Sequence, residues 1–373
     1  MIRPSALLRV RRWLALSALP TLFVAMLPAG ATAAVPTAGS VGSYVVDPIS
    51  GDDETGTGTG DRPFRSISRA LTDARPGERV VLRPGTYDED IATVRPGVAI
   101  VGPRTAVLRG AGTSTRVVQV HHDDTTLNGF TVDGRVCADP VEACYRDKAI
   151  YVVSLVPGDG VSGTRIIGMR ITNLGGECVR IKYLATGNLV AGNQIGPCGV
   201  YDFGIPNTTT GQNGEGVYIG TAPEQTYLNP TPEPDASDHN QVYGNVFDTR
   251  GAECVDIKEG ASRNDVALNT CTGQHPRNGN SGAMESRGSD NTFRGNWIHH
   301  NAAAGIRLGG DRPGDAIGNS VHGNVITDNA RGGIKVQEPG SQGRICGNVM
   351  RDNVGGHAVG SYAAQIGDPT AAC

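Results

Sequence analysis

Asp256-Ile257-Lys258 and Glu285-Ser286-Arg287 each set an acid and a base two residues apart. On an extended strand, residues at that spacing share a face about 7 Å apart. If the two strands stack in parallel, cross-strand neighbours lie about 5 Å apart and the four charges close into a square. Such a square suits removal of a weakly acidic C–H proton beside a carboxylate, as at C5 of a uronate sugar. A cation on the carboxylate stabilises the carbanion-like transition state. A neutral lysine amine takes the proton if burial and neighbouring charge lower its pKa. A guanidinium binds the carboxylate or meets charge near the leaving oxygen. The reaction expected from these residue types is β-elimination on an acidic polysaccharide.

A repeat positions these residues. Gly175-Gly-Glu177-Cys178-Val179-Arg180-Ile181-Lys182 aligns with Gly251-Ala-Glu253-Cys254-Val255-Asp256-Ile257-Lys258. Weaker copies begin at Glu215, Gly282, Ala304 and Gly332. Val179 and Ile181, Val217 and Ile219, Val255 and Ile257, and Ile334 and Val336 recur with the period of a strand and should point inward. A stack of such units is a parallel β-solenoid with rungs about 4.8 Å apart. The outward residues then form two columns. One reads Arg180, Tyr218, Asp256, Glu285, Arg307, Lys335; the other reads Lys182, Gly220, Lys258, Arg287, Gly309, Gln337. Glycines beside the columns should leave an open groove, and the Pro-rich insertion 221–240 could wall it. A second motif, Gly-Asn-x-(Ile/Phe/Met), recurs at Asn193, Asn245, Asn296, Asn324 and Asn348. It fits a ladder at a turn, where Asn tolerates left-handed geometry and its amide bonds the Asn one rung away.

The fold class expected is all-β: a single right-handed parallel β-helix spanning 35–373, with a cap over about 40–80 and rungs over about 80–360. Phe64, Ile67, Ala70, Leu71 and Ala74 have helical spacing and read as a short N-terminal capping helix. Val80-Val81-Leu82 reads as the first strand. Residues 1–34 combine a basic start, an apolar run and Ala31-Thr32-Ala33, the features of a secretory signal peptide. The chain is therefore expected to be secreted and extracellular, with no membrane span. Its net charge of −4 offers no general attraction for nucleic acid, and a monomer is expected. Cations concentrated in the columns of such a chain suit an acidic polymer. All eight cysteines follow the signal, an even number that suggests disulfides. Cys178 with Cys198 and Cys254 with Cys271 occupy similar places in two rungs. Cys137 with Cys144 would close a short loop, and Cys346 with Cys373 would pin the C-terminal tail.

Tyr44-Val-Val-Asp-Pro48, Pro63-Phe64-Arg-Ser-Ile67 and Pro76-Gly-Glu-Arg-Val-Val-Leu-Arg-Pro-Gly-Thr-Tyr87 resemble the opening of secreted β-helix proteins of the pectin-lyase-like superfamily. Asp256-Ile-Lys258-Glu-Gly-Ala-Ser-Arg-Asn264, Arg287-Gly-Ser-Asp-Asn291 and Ala304-Gly-Ile-Arg307 resemble polysaccharide lyase family 6, the alginate lyases and chondroitinase B. The resemblance implies Lys258 as base and Arg287 as its partner. It also implies a Ca²⁺ ion on acidic residues, here Glu215, Glu253, Asp256 and Glu285. Arg180, Lys182, Tyr218, Arg307 and Lys335 would bind the acidic polysaccharide, with His275 supporting from the loop between the two catalytic rungs. The chain departs from the pattern in the placement of Glu253 and Asp256 and in the Glu259-Gly260 after the lysine. Two alternatives stand beside the lyase. A glycoside hydrolase of this fold needs paired carboxylates, and Asp52-Asp53 and Asp123-Asp124 lie outside the central rungs. A non-catalytic glycan-binding or cell-surface solenoid would use the same groove without a base of lowered pKa.

Overall fold

The structure is a computed structural model that describes residues 42–111, 115–139, 141–200, 213–275 and 280–373. The expected signal peptide lies outside them. Each complete rung gives one short strand to each of three parallel sheets, as in Leu189–Ala191, Gln194–Ile195 and Val217–Ile219. Among the described residues the sheets hold 11, 10 and 10 strands, each inner strand paired in parallel with the rung before and after. This is a right-handed parallel β-helix. Inward side chains stack in columns through the interior; one runs Val242, Val266, Phe293, Val321. Among the described residues no helix is long and apolar enough to cross a membrane.

The cap helix spans Ile67–Asp73. The Ser66 hydroxyl accepts from the Arg69 N–H, and the Glu89 carboxylate accepts from Ile67 and Ser68, so the first free amides are satisfied. Ile67, Ala70 and Leu71 are buried over the first rung. One boundary differs from expectation. Ser43–Val46, placed by sequence in the cap, already pairs in parallel with Arg79–Leu82 and begins a sheet. Its alternation is too short to register as a rung without its partner. The four expected cysteine pairs, 137–144, 178–198, 254–271 and 346–373, are all disulfides.

Asparagine marks three corners of the coil. One ladder runs Asn188, Asn240, Asn264, Asn291, Asn319. A second runs Asn193, Asn245, Asn269, Asn296, Asn324, Asn348. A third runs Asn301, Asn329, Asn353. In the second ladder each side-chain oxygen accepts from both the backbone N–H and the amide of the previous asparagine, at 2.8–3.0 Å. The expected left-handed geometry is present one residue earlier. Gly192, Gly244, Leu268, Gly295, Gly323 and Gly347 take φ between 56° and 65°, and the asparagines themselves do not. The residue before turns the chain, and the asparagine ties that turn to its neighbour. This explains the Gly-Asn dipeptide: glycine adopts positive φ without steric cost.

Asn269→Ala should strand buried groups on both adjoining rungs, each at roughly 1–3 kcal/mol. The denaturant midpoint of this variant should fall well below that of Gln241→Ala, an exposed strand position. Equal midpoints in urea titrations would remove the ladder from the account of stability.

Candidate functional site

The strands Val179–Ile181, Val217–Ile219, Val255–Ile257, Gly282–Ser286, Ala304–Leu308 and Ile334–Val336 are consecutive in one sheet. Their register sets Arg180 against Tyr218, then Asp256, Glu285, Arg307 and Lys335, the order expected from sequence. The ladder continues one residue further: Lys182 bonds Val152, Gly220 bonds Ile181, Lys258 bonds Ile219 and Arg287 bonds Ile257 through backbone N–H groups. Both columns therefore exist. They are not the open surface that the glycines suggested. Arg180, Lys182, Tyr218, Asp256, Lys258, Glu285 and Arg307 are each 7% exposed or less. Gly220 is filled rather than empty, because a Cβ there would come within 3.3 Å of the Lys258 and Ala261 side chains.

Burial makes pairing obligatory, since an unpaired interior charge is costly. Arg180 donates to Glu177 at 2.7 Å and lies 3.5 Å over the Tyr218 ring. The Lys258 Nζ lies 2.7 Å from Asp256 and 4.7 Å from the centre of the same ring. Tyr218 is thus clasped between two cations, and burial pushes its hydroxyl pKa well up. Arg287 meets Glu259 at 3.0 Å, Glu285 at 3.6 Å and Asp311. Arg307 donates to Glu285. Lys335 is half-buried, and burial followed by Arg307 lowers its pKa. His275 is exposed, and among the described residues no side-chain hydrogen bond or ion pair ties it to the cluster.

Glu177, Glu215 and Glu253 stand at one motif position on three successive rungs. The first is neutralised by Lys148, at 2.6 Å, and Arg180. The other two join Asp256, with ligand oxygens of all three within 4.8 Å of one another. Asp256 Oδ1 is buried without a hydrogen-bond partner. Burial, followed by repulsion from Glu285 and Asp256, pushes Glu253 up to about 8. Burial, followed by Glu177 and Glu253, holds Glu215 well above the carboxylate range. Three of the four expected cation ligands therefore gather. Glu285 does not join them, because Arg307 and Arg287 hold its carboxylate. An orphaned oxygen among hard oxygen donors fits a hard divalent cation such as Ca²⁺.

One expectation is corrected. Burial acts to lower the Lys258 pKa, but the Asp256 carboxylate overrides it and, with Tyr218, holds the amine well above its usual value as an ammonium. Lys182, in contrast, is pushed down to about 8 by burial and then by Arg180. Sequence reading also missed Lys148, Glu259 and Asp311 as partners. Glu177 and Glu259 were visible in the repeat and the departure from pattern, whereas Asp311 lies in a loop that no periodicity marks.

The three parallel sheets make the chain a right-handed parallel β-helix, and the comparisons with known proteins agree on that architecture. The model of a family described as a protein of unknown function, DUF1565, matches residues 49–222, and that of the periplasmic copper-binding protein NosD matches residues 205–366. No curated protein matches the sequence. An alginate lyase from Paenibacillus sp. str. FPU-7 superposes with TM-score 0.59 at 20% identity, over 78% of this chain and 96% of that one. Pectate lyase Pel9A gives 0.53 at 14% identity, over 82% and 78%. The GH136 lacto-N-biosidase from Eubacterium ramulus gives 0.56 at 10% identity, over 83% and 68%. Likeness at these identities establishes the shared fold. The three-carboxylate donor set contains none of the imidazole or thiolate ligands typical of copper sites, and all eight cysteines are in disulfides.

The raised Glu253 links the cluster to stability. Its folded pKa of about 8 exceeds the ordinary glutamate value of 4.5, so the folded state binds the extra proton between those values. Stability is then full below about pH 4.5 and is lost as pH rises through about 8. In chelator, the melting temperature should fall from pH 5 to pH 8, and added Ca²⁺ should restore it with release of protons. Glu253→Gln should weaken both effects, and the raised Glu215 should account for what remains. A chelated protein whose melting temperature rises over that interval would rule out the crowded carboxylates.

Proposed function

We propose that the protein is an exported polysaccharide lyase that cleaves a uronate-containing polysaccharide by cation-assisted β-elimination. The observation that carries this reading is the juxtaposition of Lys258 with a buried three-carboxylate cluster whose Asp256 oxygen lacks a partner. Arg287 lies on the next rung. The similarity of Asp256–Asn264 and Arg287–Asn291 to family 6 lyases points the same way, as do the alginate and pectate lyases among the structural neighbours. Four disulfides suit an oxidising compartment outside the cytosol.

Glu215, Glu253 and Asp256 would hold the Ca²⁺ ion. A bound ion would supply Lewis acidity toward a substrate carboxylate, which would lower the pKa of the C5 proton. Asp256 then has a double role. While its carboxylate is uncommitted, it keeps Lys258 protonated. With that charge committed elsewhere, burial of Nζ would favour the neutral amine. Lys258 Nζ takes the C5 proton, the electron pair forms the C4–C5 double bond, and the C4–O bond breaks. The leaving oxygen carries away its pair and is protonated from water. Arg287 meets the substrate carboxylate or the charge on that oxygen after exchanging the exposed Asp311 for it. Glu259 and Glu285 keep the guanidinium aimed during the exchange.

Incubation with alginate, pectate, glucuronan and glycosaminoglycans should give ultraviolet-absorbing unsaturated ends with at least one polymer, and chelator should suppress them. Lys258→Ala should lower the rate by roughly 10²–10⁴-fold with the fold retained, and Arg287→Ala comparably. Retention of full activity by Lys258→Ala sinks the mechanism. Absence of unsaturated product from every polymer sinks the lyase reading and leaves a binding solenoid.

A further inference from the structure

The cations of the upper rungs are nearly all committed. Lys148 lies between Asp147 and Glu177. Arg180 is held by Glu177 and stacks on Tyr218. The Arg116 guanidinium lies 4.1 Å from the centre of the Tyr151 ring. Lys182 differs. It is 5% exposed, yet among the described residues its amine forms no ion pair or hydrogen bond. The nearby acid, Asp235, cannot serve it well. The Asp235 carboxylate already accepts from the Tyr183 and Leu184 N–H groups at 2.7 and 2.9 Å, and from the Thr221 and Ser237 hydroxyls at 2.6 and 2.7 Å. Those bonds pin the turn after Lys182 in place, with φ of 61° and 58° at Tyr183 and Leu184.

A lysine whose stem is buried, whose amine has no ion pair and whose nearest charges are mostly cations is suited to receive an anion. Lys182 shares its column with Lys258, with only Gly220 between them. Two rungs separate the amines, about 10 Å along the coil. An extended 1,4-linked polyuronate running along this column would present a second carboxylate near Lys182 while a first is held at Lys258 and Arg287.

We propose that Lys182 forms a second anion subsite that binds the carboxylate of another sugar unit of the same chain. The site then selects polymers with closely spaced ionised uronates over those whose charges are methyl-esterified or diluted by neutral sugars. This deepens the lyase reading and rests on it for the direction of the polymer, but anion binding at Lys182 is measurable without turnover.

The lowered pKa of about 8 fits a cation that lacks its partner, and a bound carboxylate would raise it again. The charges facing Lys182 are Arg180 on its own strand, Lys148 and Arg116 on earlier rungs, and Asp235 on the crossing loop. Lys258, Asp256 and the Tyr218 hydroxyl lie on the downstream side.

The test uses the full chain in chelator, which silences elimination. Oligogalacturonate, oligomannuronate, the methyl ester of the former and inorganic sulfate are titrated by calorimetry against wild type and Lys182→Met. Mass spectrometry reads amine acetylation at pH 8 in parallel. At least one uronate oligomer should bind wild type and shield Lys182 from acetylation, whereas the ester should not. Lys182→Met should weaken that binding by roughly tenfold to a hundredfold with its melting temperature retained. In wild type the affinity should fall between pH 7 and 9, and in Lys182→Met that fall should vanish. Equal shielding by oligomer and ester, shielding by sulfate alone, or unchanged affinity in Lys182→Met overturns the subsite. If Lys182→Met does not fold, unshielded acetylation in wild type with every oligomer is sufficient to overturn it. Failure of the lyase reading shows separately, as absent unsaturated product with Ca²⁺ restored.

Discussion

The bond from each corner asparagine to the next is the constraint on which the rest depends. A parallel strand pair can slip by a residue, and a slip of one exchanges the inner and outer faces. A buried amide that donates to one neighbour and accepts from another permits a single register, because a slipped rung would leave several polar groups unsatisfied. The ladders at Asn188–Asn319 and Asn193–Asn348 lock two corners through the central rungs. The register across the third sheet is thereby fixed, and with it the distance between Lys258 and every charge around it.

The charged columns follow from that lock. Rungs supply residues at fixed spacing whether or not the charges suit one another, so each rung must be balanced by its neighbours. Glu177 is balanced by Lys148 and Arg180. Glu285 is balanced by Arg307 and Arg287. Glu215 and Glu253 are not balanced within their rungs, and Asp256 shares one oxygen with Lys258 while the other has no partner. Acidic groups crowd there and hold their protons, and Lys182 is a cation without an ion pair among the described residues. The two imbalances lie on the same sheet, and the Tyr218 ring lies between Arg180 and Lys258 there.

The fold was legible because strand alternation and Gly-Asn recur, and recurrence is what a solenoid imposes on sequence. Column membership was legible for the same reason: Arg180, Tyr218, Asp256, Glu285, Arg307 and Lys335 needed only inward residues to set their parity. The electrostatic state of each member was not. Whether Lys258 is charged depends on Asp256 at 2.7 Å, and whether Lys182 is depends on how Asp235 spends its oxygens, 53 residues away in sequence. Burial of the columns was also hidden, because glycines read as space can equally be sites of close approach. The left-handed residue before each asparagine escaped notice where it is not glycine, as at Leu268, Arg263 and Asp290.

Most ladder steps join asparagines 24 to 28 residues apart, but Asn188 to Asn240 and Asn193 to Asn245 each cross 52. The same amide bond closes both lengths of chain. The corner is therefore indifferent to how much sequence passes between two partners, and the long step is the one that brings in Glu215, Tyr218 and Asp235. Descent with modification can act on these parts separately. A lineage can lengthen, shorten or exchange the excursion around Val217–Ile219, and so change what that face of the coil presents, while any asparagine kept at the corner lets the coil go on closing as before.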